Sequence, residues 1–125
     1  MTAVSTSTLS SLILSSEPAV HNATGSGAIS ETTAINDHFE LLGFTLKLSA
    51  AGTTSEALTI GLDANDGATY DCDLYKVSDT SSGSPTSLSY FFPSPVICEL
   101  GDEITVTWPN SEGRTWGLRV VTRVV

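Results

Sequence analysis

The sequence predicts an all-β protein: an antiparallel β-sandwich, jelly-roll-like, of seven to eight strands, with an extended N-terminal arm. Three observations predict it. Apolar residues from residue 28 onward recur with a period of two, as on a strand with one buried and one wet face. Turn-forming Gly, Asn, Asp and Pro punctuate these runs every 8–15 residues or so. Charged residues make up only 15% of the 125-residue chain, and Ser and Thr fill their place. Thr is stiff at χ1 and suits a pleated surface better than a helix. One-sided alternation is the mark of antiparallel sheets, and two such sheets bury their apolar faces against each other.

Residues 1–27 form the arm in this reading, and 28–125 the sandwich. The arm is Ser/Thr/Ala/Gly-rich with one apolar knot, Leu12, Ile13 and Leu14. Two readings of it stand side by side: a floppy terminus, or a segment that docks on a neighbouring subunit through the knot. "GAISETTAI" (27–35) offers a first strand. "FELLGFTLKLSA" places Leu42, Phe44, Leu46 and Leu48 inward, with Gly43, Thr45 and Lys47 outward. "EALTIGLDA" points Leu58, Ile60 and Leu62 inward. "TYDCDLYKVS" puts Cys72 and Leu74 inward, with Asp71 and Asp73 in water. "TSLSYFF" offers Leu88, Tyr90 and Phe92, and after a "PSP" turn "PVICEL" offers Val96, Cys98 and Leu100. "DEITVTW" buries Ile104, Val106 and Trp108, and "TWGLRVVTRVV" buries Trp116, Leu118 and Val120. Gly101 can take a backbone conformation closed to other residues in the turn before "DEITVTW". Read as a hairpin, the last two strands bring Trp108 and Trp116 together across it.

The formal charge is −9, from fourteen acidic and five basic residues, with no Lys or Arg before Lys47. A phosphate-binding groove is hard to build from so few cations, which argues against nucleic acid, and attraction to an anionic membrane is disfavoured likewise. No stretch is long enough to span a membrane as a helix, and "LSSLILSS" lacks the basic flank of a secretory signal, so the chain reads as a cytosolically made, unprocessed protein. Cys72 and Cys98 form no CxxC pair, and two His cannot complete a zinc cluster of usual spacing. Two buried thiols is one reading, and a mutual disulfide between adjacent strands stays open.

"DANDGATYDCD" (63–73) is the densest acidic stretch. An EF-hand register started at Asp63 fits Asn65 but puts Gly67 one place early and Leu74 at the twelfth position. A looser calcium site from Asp63, Asp66 and Asp71 is one alternative. A hairpin turn at Asn65-Asp66-Gly67, with Asp71 and Asp73 spaced by the pleat, needs less. His21 falls in the arm and His38 in a loop, and no nucleophile motif accompanies them. The reading is therefore of no enzyme, no cofactor and no metal. A hydrolase using Asp71 and Asp73 is the least favoured alternative.

The run "LSAAGTTSEALTIGLDANDGATYDCDLYKV", followed by "LGDEITVTWPNSEGRTWGLRVV", resembles small β-sandwich virion proteins of tailed bacteriophages, over roughly residues 39–125. Thr54-Ser55-Glu56 before "LTIGLDA", Tyr70-Asp71 opening the next strand, and Gly101-Asp102 before the penultimate one carry the likeness. It implies a head decoration (cement) protein that clamps the major capsid protein from outside the virion, assembled in the host cytoplasm as a homo-oligomer, with a trimer favoured. It brings no catalytic or ligand motif. The arm knot Leu12, Ile13 and Leu14 is the expected contact. The alternative is a carbohydrate- or receptor-binding module of a phage tail or fibre, for which Tyr75, Tyr90, Trp108 and Trp116 are the candidate stacking rings.

Overall fold

In a computed structural model, residues 17–51, 56–77 and 86–125 are described. They form eight strands and one short 3₁₀ turn: β1 (Ala19–Gly25), β2 (Ile29–Ala34), β3 (Phe39–Leu48), β4 (Leu58–Asp63), the turn Ala68–Tyr70, β5 (Cys72–Val77), β6 (Ser87–Cys98), β7 (Glu103–Trp108) and β8 (Trp116–Val124). Two antiparallel four-stranded sheets result, ordered β1-β8-β3-β6 and β2-β7-β4-β5. The pairings are nested: first strand with last, second with seventh, third with sixth, fourth with fifth.

One apolar core lies between the sheets. The first sheet contributes Phe39, Leu41, Phe44, Leu46, Leu48, Cys98, Trp116, Leu118 and Val120. The second contributes Ile29, Leu58, Ile60, Ile104, Val106 and Trp108. Each large side chain removed from water here contributes roughly 1.5–3 kcal/mol before conformational entropy is charged against it. Most of the core comes from the central strands β3, β8, β4 and β7, and the four edge strands alternate more weakly.

The fold class is as the sequence predicts, and several local expectations need correction. Residues 19–25, assigned to the arm, are β1, paired along its length with β8; His21 accordingly sits in a strand. Phe44, Leu46 and Leu48 are inside, but Leu42 is not. A bulge between Leu41 and Gly43 shifts the parity, so Phe39 and Leu41 hold the inner positions before it. The same bulge explains why "PSP" is no turn. On β6, Phe91 pairs with Gly43 and Val96 with Leu41, so Pro93 and Pro95 ride in the looped-out stretch of a single edge strand. Only an edge tolerates a residue that cannot donate to the ladder. A Cβ on Gly43 would collide with the Tyr90 carbonyl oxygen and the Phe91 ring.

A second bulge, between Ile60 and Gly61, loops out Leu74 and places Tyr75 opposite Ile60, inward against Phe44 and Tyr90; Cys72, opposite Leu62 at the start of edge strand β5, is exposed instead of buried. Cys98 is buried, and the two thiols are free. Leu100 is exposed in the turn before β7 instead of buried. β7 and β8 belong to different sheets, so Trp108 and Trp116 are both core residues and do not face each other as a hairpin pair. Gly101 has φ +92 in that turn, the role expected of it.

Candidate functional site

The loops gather at two ends. At one end the 35–38, 64–71 and 99–102 connections meet the C-terminal residue Val125, whose N–H donates to the His38 carbonyl at 3.1 Å. The acidic stretch 63–73 lies here, and it is a hairpin connection. Gly67, with φ +126, opens the 3₁₀ turn, and β4 and β5 pair on either side. Asp71 is not on the strand face as expected. It precedes β5, and its Oδ1 accepts the Ala64 N–H at 2.8 Å, which closes the loop. Asp73 is on β5 and exposed.

Asp102 holds the end together. Its carboxylate is 6% exposed. One oxygen accepts the Asn65 N–H at 2.9 Å and the other the Glu99 N–H at 2.8 Å, so one side chain ties the 64–71 loop to the 99–102 turn. Leu100 N–H donates to His38 Nδ1 at 3.3 Å, which adds the 35–38 loop. Glu99 hydrogen-bonds Asp66, and that bond together with the nearby Asp66 charge raises its pKa above the ordinary carboxylate value. Burial, reinforced by the Asp102 charge, pushes the Cys98 thiol up to about 11.

Among the described residues no group of three His, Cys, Asp or Glu side chains converges to hold a metal ion. In this loop Asp71 and Asp102 accept backbone N–H groups, and Asp66 is hydrogen-bonded with Glu99.

At the other end Asn110 does the tying. It is 3% exposed, with φ +46, a conformation that Asn tolerates better than most residues. Its amide donates to the carbonyls of Gly27 (2.9 Å), Arg114 (2.8 Å) and Ser26 (3.3 Å), and its Oδ1 accepts the Arg114 N–H at 3.1 Å. Trp116 Nε1 donates to the same Gly27 carbonyl at 2.9 Å. The buried Arg114 guanidinium packs over the Trp108 ring at 4.9 Å and donates to the Ala50 carbonyl at 3.3 Å. Glu56 accepts from both the N–H and the hydroxyl of Ser111 at 3.0 and 2.8 Å. Reading "PNSEGR" as a mere turn missed all of this. The signal that could have found it is Asn-Ser-Glu-Gly-Arg carrying its one cation next to an aromatic strand end.

Of the four candidate stacking rings, Trp108 and Trp116 are buried. Tyr75 and Tyr90 stack on each other at 4.3 Å and pack against the core, with Phe92 edge-on to Tyr90 at 5.1 Å. The exposed rings are instead Tyr70, in the acidic end, and Phe91, on the outer face of the first sheet. The arm knot Leu12, Ile13 and Leu14 lies outside the described residues. No helix among the described residues is long and apolar enough to cross a membrane. No family model, no curated protein and no solved structure matches this chain.

Proposed function

We propose that this chain is a structural virion protein, a capsid decoration (cement) subunit that binds the assembled shell of a major capsid protein from outside and stabilises it. In this reading the sandwich is of the jelly-roll type, works as a homo-oligomer with a trimer favoured, needs no cofactor, and performs no catalysis. The observation that carries the reading is the nested strand pairing. Four strands run out and four return beside them in reverse order, and the ribbon is folded over into two sheets. Such nesting supports the jelly-roll reading, and jelly rolls serve as viral coat domains and also as lectins and cupins. It supports a rigid body whose loops are tied at both ends and whose outer sheet faces are free to make contacts. The resemblance in sequence supports the same reading.

The carbohydrate- or receptor-binding alternative finds less support, because the four rings it would use are packed inward. The deciding experiment purifies virus particles from cells that make the protein. Stoichiometric retention on shells, and a lower melting temperature for shells stripped of it, are expected; particles that never retain the protein would overturn the reading. Shell attachment is assigned to Leu12, Ile13 and Leu14. Their replacement by Ser should abolish shell binding, and since all three precede β1 the far-ultraviolet spectrum of strands should persist.

A further inference from the structure

The charges of this acidic chain are sorted by place. Of its five basic residues, Lys47, Arg119 and Arg123 lie on the outer face of the first sheet. Register fixes this: Arg119 and Arg123 flank Val120 and Thr122, which are buried, and Lys47 lies between the buried Leu46 and Leu48. Arg119 Nε donates to Asn22 Oδ1 at 3.0 Å, which holds the guanidinium over β1. The acid that register places beside them is Glu40, and it is paired with Arg123 at 3.1 Å. Val20, Phe91 and Ile97, three exposed large apolar side chains, share this face.

The acidic end is its counterpart. Segments 35–38, 63–73 and 99–103 carry eight of the fourteen acidic residues and no Lys or Arg. Asp66 and Glu99 are crowded enough to share a hydrogen bond, so a cation arriving between them would relieve repulsion. The remaining exposed large apolar residues among the described ones, Tyr70, Leu100 and Val125, are all here. Both surfaces thus combine three exposed apolar side chains with charge, and the charges are opposite. Elsewhere on the described surface no large apolar side chain is exposed. Apolar anchors set among complementary charges are the composition of a docking surface, the charges fixing register and rate.

We propose that the acidic end of one copy docks onto the outer face of the first sheet of a second copy, Asp66 and Glu99 meeting Lys47 and Arg119. The two surfaces differ, so the contact is heterologous, and it closes into a ring where the rotation per copy divides a full turn. The contact deepens the oligomer in the proposed function by naming its surfaces. It is tested on the isolated protein, so failure of shell binding would leave it standing.

The test is light scattering coupled to size-exclusion chromatography on the full chain. At low salt the mass should be a multiple of the 13.1 kDa chain, and it should fall as NaCl rises from about 0.05 to about 1 M, because screening acts within about 3 Å at the upper value. Lys47→Glu with Arg119→Glu should weaken association by about tenfold or more, and Asp66→Lys with Glu99→Lys should do the same. All four substitutions in one chain restore complementarity with the signs reversed, and should restore the assembly. These side chains are outside the core, and far-ultraviolet spectra should confirm that each variant is folded. A 13.1 kDa particle in all conditions would overturn the proposal and leave the basic face to another acidic partner. So would an assembly that neither pair weakens, or a fourfold variant that stays apart.

Discussion

The two ends of the sandwich use one device in opposite chemistries. At the acidic end a buried carboxylate, Asp102, gathers two backbone N–H groups from two loops. At the far end a buried carboxamide, Asn110, gathers three carbonyls and one N–H. Asn110 is neutral and serves both donors and acceptors. Asp102 serves donors only, in the region where carboxylates already crowd. The far end therefore gains rigidity without charge, whereas the acidic end trades electrostatic repulsion for a strongly negative surface. A buried hydrogen-bonding side chain matters most through the groups it would leave unpaired.

Breaking the far end should cost most. Asn110→Ala removes the partner of the Arg114 N–H and of the Arg114 and Ser26 carbonyls and forces Ala into a positive φ, for a loss of about 3 kcal/mol by urea unfolding. Asp102→Ala orphans two N–H groups and should cost about 2 kcal/mol. Were the two losses reversed in size, the far end would not be the tighter one.

Thiol chemistry sharpens the contrast within the acidic end. Cys72 is exposed at the start of β5, whereas Cys98, at the end of β6, is buried with its pKa pushed up to about 11. Native protein should titrate one thiol and unfolded protein two; two fast native thiols would mean that this end opens readily. The smallest effect is electrostatic. Glu99 has a raised folded value, so its protonated contact with Asp66 contributes stability that is complete at acid pH and lost as pH rises through that value. Glu99→Gln should remove this slope from the stability-against-pH curve just above the ordinary carboxylate range. A curve identical to the parent's would show that the Glu99–Asp66 contact is not made in solution.

How much of this was legible depended on whether a strand kept strict parity. Ile104, Val106 and Trp108, and Trp116, Leu118 and Val120, were read correctly because nothing interrupts β7 and β8. Leu42 and Leu74 were misplaced because each is the looped-out residue of a bulge, which shifts the parity of the strand beyond it, and Cys72 was misplaced because it begins an edge strand, where facing inward does not bury it. β1 was missed because "AVHNATG" is an edge strand with little to bury, and composition alone makes it look like tail. Pro93 and Pro95 read as a break because edge position is a tertiary fact. The ties at the two ends were the least legible part. Asp102 reaches Asn65 across 37 residues and Asn110 reaches Ser26 across 84, and no local pattern announces either.

The order in which the strands find one another has a kinetic consequence. β4 and β5 are joined by a short connection, whereas β1 must pair with β8 near opposite ends of the chain, Ala19 opposite Thr122. Loop closure grows costlier with separation, so assembly is expected to run from the innermost hairpin outward and to be slow for a chain of this size. During synthesis the inner ribbon β3 to β6 emerges before β8. Until β8 emerges the first sheet lacks a central strand, and one hydrogen-bonding edge of β3 waits unpaired.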